Sequence, residues 1–538
     1  MNSSDASTKQ RRTRNRVLGG LAVVIAAGGA VAGMALGGSS GQTQAAVFPD
    51  GTPPEVTADS SAFSAPNATY NNDRAATASK INAGNVSTLK EAWRFKLSGK
   101  SAFGVFSSNP IVTKSAVYLQ DINSNVFKVD RATGKLIWKR TFNEATTGPN
   151  GVALGYGLVL GGTHDEAFAL DDDTGAVVWR KKVTRQPSEG VDIQPLVWGD
   201  QVIVSTVPGA SLANFYGGGG KGIIYSLDAR TGATRWSFDT TTDNLWGNAK
   251  VNSGGGAWNT PSVDKDGNVY IAVANPAPWP GVPKFPNGSS RPGKNLYTNS
   301  LVVLDGKTGK LKWYWQALAH DLRDWDLHLP PILTTFTING KETEVVVLGG
   351  KMGTVYVVDR NTHKLIWKRD VGIHTDEDGP NRNAPFKKFP TRVYPGWLGG
   401  VETPMAVADG KIFVPVVNLC AIYDRQDNFT KGSRLCDFKT ASGEIIALDG
   451  ATGKVVWQKR LKQQNYGGAT VVNDLVLTVW FDGMIRAHNV DTGALVWEKQ
   501  APAYANASPA VAEDLLVVGA GYPALKGQTP SVVAYRLP

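Results

Sequence analysis

The sequence predicts an all-β protein, an eight-bladed β-propeller whose ring is closed by strands from both ends of the chain. A nine-residue motif, Asp-x-x-Thr-Gly-x-x-x-Trp, recurs seven times with a constant Asp-to-Trp offset, which indicates a repeat architecture. Each copy follows an apolar or alternating segment typical of a β-strand. An eighth tryptophan, Trp93, precedes the first copy, and the strand-like end Ser531–Leu537 lacks a partner of its own. Pairing the last strand with the first would complete the eighth blade.

The seven copies differ only slightly from one another. They lie at Asp130–Trp138, Asp171–Trp179, Asp228–Trp236, Asp305–Trp313, Asp359–Trp367, Asp449–Trp457 and Asn489–Trp497. His363 replaces the glycine of the fifth copy and Asn489 the aspartate of the seventh. The Asp-x-x-Thr-Gly part predicts a hairpin turn, in which Asp and Thr bond local backbone and Gly supplies a positive φ. A lone hairpin cannot bury its tryptophan, so neighbouring units must cover it. Although the chain has 538 residues, the repeat therefore predicts one large ring rather than several domains.

Three regions are expected along the chain. Residues 1–46 carry five basic residues, then an uncharged run from Val17 to Leu36, then small residues, which is the order of a secretory signal peptide. The apolar run is also long enough to span a bilayer, so an uncleaved membrane anchor is an alternative. Residues 47–75 are rich in Pro, Ser, Ala and Asn and indicate a linker or a belt against the ring. Residues 76–538 form the propeller, which we expect to lie outside the cytoplasm.

Charge and cysteine content exclude some classes of function. Much of the formal charge of +10 comes from the first 46 residues, and no basic stripe with interleaved aromatic residues occurs, so nucleic-acid binding is not expected. Cys420 and Cys436 are the only cysteines, and in an exported chain they predict a local disulfide, with two buried thiols as the alternative. The sequence has no Cys-x-x-Cys-His motif for a covalent haem.

The candidate chemistry concentrates in residues 254–326. This region contains Gly-Gly-Gly-Ala-Trp258, Asn275-Pro-Ala-Pro-Trp279 and His320-Asp-Leu-Arg-Asp324-Trp-Asp326. Here the chain resembles the PQQ-dependent (pyrroloquinoline quinone) alcohol and sugar dehydrogenases, over most of residues 70–538. The resemblance implies an eight-bladed propeller with the quinone and a metal ion, Ca²⁺ or a lanthanide, near its axis.

The resemblance assigns a role to each of three residues. Trp258 would be the indole floor beneath the quinone, and the three glycines before it would let the backbone approach a flat ligand. Asn275 would be a metal ligand through its amide oxygen. Asp324 would be the general base that accepts the hydroxyl proton as hydride leaves carbon, and a metal ligand as well. The alternatives are a blade-core tryptophan, an Asn-Pro turn and a turn carboxylate.

Four further residues receive roles by the same resemblance. Asp326 points to the same side as Asp324 if the segment is extended, and would be a further metal ligand. Lys351, in Lys-Met-Gly-Thr-Val-Tyr, would contact the quinone oxygens; the alternative is a surface lysine. Asn418 and Thr163 would be polar contacts to the cofactor.

The chain also departs from the family pattern. The family's metal-ligating glutamate has no counterpart in residues 208–214, the cofactor-binding Arg-Gly appears as Asn150-Gly151, and the adjacent-cysteine disulfide is missing. Asp326 is a hypothetical substitute for the missing acid. Two functions therefore remain: a quinoprotein that oxidises a small or polymeric alcohol or polyol and passes electrons to a separate acceptor, or a non-catalytic propeller scaffold or envelope-assembly module that binds proteins.

Overall fold

The computed structural model of the protein describes residues 49–58, 62–209, 218–375 and 384–538. The predicted signal segment, residues 1–46, lies outside the described residues. Eight four-stranded antiparallel sheets form the blades. Seven are meanders of strands in sequence order, and the eighth adds an amino-terminal strand to three strands from the carboxyl-terminal part of the chain. None of the helices in the described part of the chain is long and apolar enough to cross a membrane.

The blades have the following strands. Blade 1 is Ile111–Val112, Ala116–Gln120, Val126–Asp130 and Leu136–Arg140; blade 2 is Ala153–Gly155, Leu158–Gly162, Glu166–Asp171 and Val177–Lys182; blade 3 is Leu196–Trp198, Gln201–Ser205, Ile223–Asp228 and Thr234–Asp239; blade 4 is Ser262–Val263, Asn268–Val273, Ser300–Asp305 and Leu311–Gln316. Blade 5 is Ile332–Ile338, Lys341–Leu348, Thr354–Asp359 and Leu365–Asp370; blade 6 is Ala406–Ala408, Lys411–Asn418, Ser442–Asp449 and Val455–Leu461; blade 7 is Ala469–Val472, Leu475–Val479, Met484–Asn489 and Leu495–Gln500; blade 8 is Ala510–Ala512, Leu515–Ala520, Ser531–Arg536 and Lys90–Lys96.

The remaining described elements are short. The small sheets pair Glu189–Gly190 with Val207–Pro208, Ser253–Gly254 with Pro276–Ala277, and Ala421–Tyr423 with both Thr391–Val393 and Ser433–Leu435. The helical turns are Pro54–Thr57, Val86–Thr88, Leu245–Gly247, Pro286–Gly288, Phe429–Gly432 and Phe438–Thr440. Cys420 and Cys436 form a disulfide beside the last of the small sheets, which confirms their predicted pairing.

The eighth blade joins the two ends of the chain, as the orphan terminal strand predicted. Lys90–Lys96 pairs with Ser531–Arg536, so that Trp93 lies opposite Ala534. Residues of blades 8 and 1, including Val517 and Val117, share one hydrophobic cluster. The eight-bladed β-propeller is therefore confirmed, with the amino-terminal strand on the outside of the last blade.

The repeated motif forms the predicted turn and also docks the preceding blade. In the first copy, Asp130 Oδ1 accepts hydrogen bonds from the backbone N–H (2.8 Å) and hydroxyl (2.6 Å) of Thr133, and Gly134 has φ +67°. The indole of the preceding motif lies against the glycine and donates to the carbonyl two residues before the Thr: Trp138 Nε1 is 2.7 Å from Asp172 O. Each motif tryptophan lies within its strand, because the pairing continues two to four residues further.

The two variant copies keep the turn and the packing on the preceding indole by other means. His363 adopts φ +60° and stacks its ring on Trp313 at 4.2 Å, so that imidazole takes over the glycine's contact with the indole. Asn489 accepts the same two hydrogen bonds from Thr492 through its amide oxygen, both at 3.0 Å. The motif therefore tolerates changes that preserve the turn and the indole contact.

The close packing of glycine on indole leads to a stability prediction. Gly175 has φ +67°, and a Cβ added at this position would lie 2.6 Å from Trp138 Cε3. We expect Gly175→Ala to destabilise the fold by about 2–4 kcal/mol, since left-handed backbone strain and overpacking both contribute. Gly157→Ala is the control, because Gly157 has φ +73° and open space around its Cβ position. Thermal and urea unfolding should show the larger loss for Gly175→Ala; equal losses would mean that the indole contact has no energetic role.

Residues 62–76 are not a free linker; they form a belt across the inner strands of several blades. Backbone hydrogen bonds join Phe63 to Val112 in blade 1, Tyr70 to Val263 in blade 4, Asn71 to Leu333 in blade 5, Asp73 to Val407 in blade 6, and Arg74 to Val471 in blade 7. Arg74 is fully buried, and its guanidinium donates to Ala469 O and Pro509 O, each at 2.8 Å. The belt thus joins blades that are far apart in the sequence.

Candidate functional site

The structure contains a cavity of about 400 Å³ that is lined by loops from several blades. Five of the predicted site residues line it: Trp258, Asn275, Asp324, Asp326 and Lys351. They lie in loops that precede, follow or connect the strands of blades 4 and 5. The first and last of them are 93 residues apart in the sequence. The volume is in the range that holds cofactors and small substrates.

The carboxylate of Asp321 organises the loop that carries the two site aspartates. Asp321 accepts hydrogen bonds from the backbone N–H of Arg323 (2.7 Å) and of Trp325 (2.6 Å), and one from Asn299 Nδ2 (3.1 Å). Asp324 lies inside this turn with φ +61°, a strained conformation for a non-glycine residue that is typical of functional loops. Asp321 is therefore the carboxylate that bonds the backbone of the turn, and the carboxylate of Asp324 pairs with Lys351 instead.

Asp324 and Asp326 converge on the ammonium group of Lys351. Lys351 Nζ lies 2.9 Å from Asp324 Oδ2 and 2.8 Å from Asp326 Oδ2, and all three side chains are buried. The second oxygen of Asp326 accepts a hydrogen bond from the backbone N–H of Asn275 at 2.9 Å. The same-side placement predicted for the two aspartates is observed, and Lys351 is not a surface lysine.

The electrostatics of the cluster follow from burial of three charges together. Burial, reinforced by the charge of Asp326, raises the pKa of Asp324 well above its ordinary value, although Lys351 opposes the shift. Burial acts to lower the pKa of Lys351, but the attraction of Asp324, Asp326 and Glu402 is larger and raises it. Lys351 therefore remains an ammonium ion, and Asp324 is a stronger base than an exposed aspartate.

Trp258 lies beside this cluster as a supported aromatic plate. Its ring stacks on the imidazole of His328, with centroids 4.1 Å apart and an interplanar angle of 9°, and Lys351 Nζ is 5.7 Å from the indole centroid. Burial lowers the pKa of His328 to about 4, so the imidazole is neutral at physiological pH. Because His328 covers one face, the accessible part of the half-buried indole borders the cavity.

The glycines before Trp258 serve the protein's own packing. A Cβ at Gly254 would lie 2.7 Å from Pro276 Cα, and one at Gly256 would lie 3.0 Å from Val207 Cγ1. The close approach that the structure shows is to the loop that carries Asn275 and to the short strand Val207–Pro208. It positions Trp258 and Asn275 side by side.

Asn418 and Thr163 are not brought to the cavity. The amide of Asn418 is used inside the protein: its oxygen accepts from Ile373 N (2.8 Å) and its nitrogen donates to Glu444 Oε1 (2.8 Å). Thr163 is fully buried near the second strand of blade 2, and its backbone N–H donates to Glu166 O. Neither residue is among those that line the cavity.

Two residues of the site were not predicted from the sequence: Glu402, which lines the cavity, and His328, which stacks on Trp258. Glu402 is half-buried in the cavity wall, and burial together with Asp326 raises its pKa to about 8, with Lys351 opposing. His328 Nε2 lies 3.3 Å from Glu402 O. The alternation Asp324, Asp326, His328 was the available signal for the histidine, whereas Glu402 is 76 residues beyond Asp326 and had none.

The residues present can be compared with what a cation and a quinone require. Asp324, Asp326 and the amide oxygen of Asn275 are donors suited to a hard cation such as Ca²⁺ or a lanthanide. Within the described ranges, no group of three or more His, Cys, Asp or Glu residues is placed to hold a metal ion. The half-exposed indole and the single lysine among the described lining residues suit a flat, acidic ring system. The chemistry of the donors suits such a group, although the protein supplies only two carboxylates and one amide, and Lys351 already pairs with one oxygen of each carboxylate.

Comparison with known protein families identifies the same region of the chain. The sequence model of the PQQ family, described as "Glucose/ethanol/alcohol dehydrogenase, beta-propeller domain", matches residues 64–153 and 172–371, together more than half of the chain. The chain belongs to this family. The second matched segment contains all five residues that line the cavity, whereas Thr163 and Asn418 lie outside both segments. A second family model, that of the outer membrane protein assembly factor BamB, matches residues 351–529.

Individual members of the PQQ family resemble the chain over most of its length. It is 28% identical to the quinoprotein alcohol dehydrogenase PedH of Pseudomonas putida, over 78% of each chain, and 26% identical to a quinoprotein ethanol dehydrogenase of the same species, also over 78% of each. The structure of the quinohemoprotein alcohol dehydrogenase ADHIIG of Pseudomonas putida superposes with a TM-score of 0.79 at 23% identity, covering 92% of this chain and 82% of the other. A europium-containing methanol dehydrogenase superposes with a TM-score of 0.74 at 21% identity, covering 88% and 98%. These two superpositions support the propeller fold.

Proposed function

We propose that the protein is an exported PQQ-dependent dehydrogenase that oxidises an alcohol or polyol, with Asp324 as the general base. The observation that carries the proposal is the convergence of Trp258, Asn275, Asp324, Asp326 and Lys351 on one cavity. A buried cluster of two carboxylates and an ammonium contributes little to stability, because desolvation opposes the attraction between the charges. Such a cluster beside a half-exposed indole is better explained by binding and catalysis.

The residues have distinct tasks in this proposal. The bound quinone would supply the acceptor for the hydride that leaves the carbinol carbon. Asp324 takes the hydroxyl proton, so that the alcohol loses one hydride and one proton and becomes a carbonyl compound. Lys351 is placed to attract acidic or carbonyl oxygens, and Trp258 provides the plane on which a flat ring lies. A cation would be held by Asp324, Asp326 and Asn275.

Export is supported by two features of the chain. Cys420 and Cys436 form a disulfide, and disulfides persist in oxidising compartments outside the cytoplasm. The order of charged, apolar and small residues in 1–46 is that of a secretory signal, with an uncleaved anchor as the alternative. Because the sequence carries no Cys-x-x-Cys-His haem motif, the electrons are expected to pass to a separate acceptor.

Reconstitution tests the proposal directly. Purified protein incubated with PQQ and either Ca²⁺ or La³⁺ should reduce an artificial dye in the presence of an alcohol, and PQQ should co-elute with the protein in gel filtration. Omission of the metal should abolish the dye reduction. PQQ that neither binds nor supports oxidation of any alcohol with either metal would contradict the proposal.

The match of residues 351–529 to an assembly factor favours the second function, a scaffold that binds proteins. That segment contains only Lys351 of the five cavity residues. The scaffold function offers no reason for a buried Asp324–Lys351–Asp326 cluster with a strained Asp324. It would be preferred if the reconstitution failed.

A further inference from the structure

One side of the cavity is formed by an aromatic wall, which the function proposed above does not use. We define the aromatic wall as Phe103, Phe438, Tyr466, Phe481 and Tyr522, all of which line the cavity. None of the five is fully buried, and Phe438 is 37% exposed. Large aromatic side chains that remain accessible on one concave surface are typical of a binding site.

Phe481 is the centre of the aromatic wall. It lies in the turn between the second and third strands of blade 7, and its backbone N–H donates to Gln464 O at 2.9 Å, which fixes the turn. Its ring centroid is 5.0 Å from that of Tyr522, 5.3 Å from that of Tyr466 and 6.2 Å from that of Phe438. These edge and tilted contacts hold the rings in a preformed arrangement.

The aromatic wall offers contact area but few hydrogen bonds. Its phenylalanine rings carry no polar atoms, and the hydroxyl of Tyr466 already donates to Leu398 O at 2.6 Å. The neighbouring lining residues Ala102, Leu398 and Pro404 are apolar as well. Thr403, Asn506 and Ser508 also line the cavity, and the amide nitrogen of Asn506 donates to Phe103 O. A sugar needs several hydrogen bonds to its hydroxyl groups, and the five rings supply at most the two tyrosine hydroxyls.

The aromatic wall and the charged cluster border the same cavity. Tyr466 lies close to the segment that carries Glu402, because its hydroxyl donates to Leu398 O, and Leu398 and Glu402 both line the cavity. An alcohol with its hydroxyl at Asp324 would therefore extend its remaining atoms toward the aromatic rings. Methanol or ethanol would leave most of that apolar surface in contact with water.

We infer, on the basis of the proposed dehydrogenase function, that the aromatic wall binds the organic group of the substrate, and that the substrates are primary alcohols bearing an aryl group. Phe481 is then the specificity-determining residue. An aryl group that leaves water and packs on aromatic rings contributes affinity through apolar burial and ring contacts.

The test compares benzyl alcohol, ethanol and glucose as substrates of the protein loaded with PQQ and metal. We expect kcat/KM for benzyl alcohol to exceed that for ethanol by about tenfold or more, and glucose to be poorest. Phe481→Ala should lower this preference about tenfold, mainly through a higher KM for benzyl alcohol. Phe481→Leu, which keeps an apolar side chain, should have a smaller effect in the same direction.

Phe142→Ala is the matched control, because Phe142 stacks on Phe168 at 4.7 Å and does not line the cavity. It should retain the wild-type ratio of kcat/KM values. An unchanged ratio in both folded Phe481 variants, or glucose as the preferred substrate, would overturn the inference while leaving the dehydrogenase function intact.

Calorimetric titration of benzyl alcohol separates this inference from the proposed function. If no alcohol is oxidised, the dehydrogenase function fails, but benzyl alcohol should still bind the wild type and bind Phe481→Ala more weakly. Equal binding to the two proteins, or no binding to the wild type, would overturn the inference by itself.

Discussion

Replacement of Asp324 by asparagine is expected to lower kcat/KM for alcohol oxidation about 10²–10⁴-fold, the usual contribution of a general base. Asparagine keeps the size of the side chain but cannot accept the hydroxyl proton. Lys351 would still pair with Asp326 at 2.8 Å, so the cluster should keep its shape. Dye reduction by the reconstituted variant measures the loss, and absorbance of bound PQQ shows whether the cofactor is retained.

The pH dependence provides a second signature of the same residue. Asp324 accepts a proton only as a carboxylate, and burial raises its pKa well above that of an exposed aspartate. Activity should therefore rise with pH through this raised pKa and then level off, and the acidic limb should disappear in Asp324→Asn. Asp264→Asn is a suitable control, because Asp264 is buried and paired with Arg360 at 3.0 Å outside the cavity. A control as inactive as Asp324→Asn, when both are folded, would contradict the assignment.

Replacement of Arg74 by methionine is expected to destabilise the propeller by about 3–5 kcal/mol, the typical cost of breaking a buried charged network. The guanidinium donates to Ala469 O, Asn67 Oδ1, Thr470 Oγ1 and Pro509 O at 2.7–2.8 Å, and to Asn109 Oδ1 at 3.2 Å. Methionine fills much of the space but leaves these acceptors buried without donors. Because these acceptors belong to the belt, to blade 7 and to the segments that lead into blades 8 and 1, the loss should affect the whole ring.

Arg94→Met is the matched control for Arg74→Met. Arg94 is 39% exposed and pairs with Glu91 at 2.8 Å, an arrangement that contributes no more than about 1 kcal/mol. Urea and thermal unfolding of both variants measure the difference. Similar losses for Arg74→Met and Arg94→Met would show that the belt does not stabilise the ring through Arg74.

The features of the site that could be predicted from the sequence are those that depend on residues close together in the chain. Asp324 and Asp326 are two residues apart in an extended segment, and alternation alone places them on one side of it. The motif turn is local too, because Asp130 and Thr133 bond each other across three residues. Lys351, in contrast, could be assigned only by family resemblance, since its distance from Asp324 depends on how blade 5 follows blade 4.

Other features depended on loop geometry that periodicity does not describe. The family resemblance assigned Asn418 to the cofactor, but its amide bonds Ile373 N, just after blade 5, and Glu444 of blade 6. The glycines before Trp258 lie against Pro276 and Val207. Both residues are more than 20 positions away in the sequence, so local spacing does not reveal these contacts. Glu402 enters the cavity from a loop without any recognisable motif.

The sequence by itself determined the number of blades, the turn in each motif, the docking tryptophans and the pairing of the terminal strands, because those features repeat at fixed local spacing and burial of the indole demands a neighbour. Only the tertiary structure decided that Lys351 lies between two aspartates, that residues 62–76 form a belt, and that five aromatic rings from distant loops share one cavity. These features arise where chain segments far apart in sequence meet, and there burial and hydrogen bonding, rather than spacing along the chain, select the contacts.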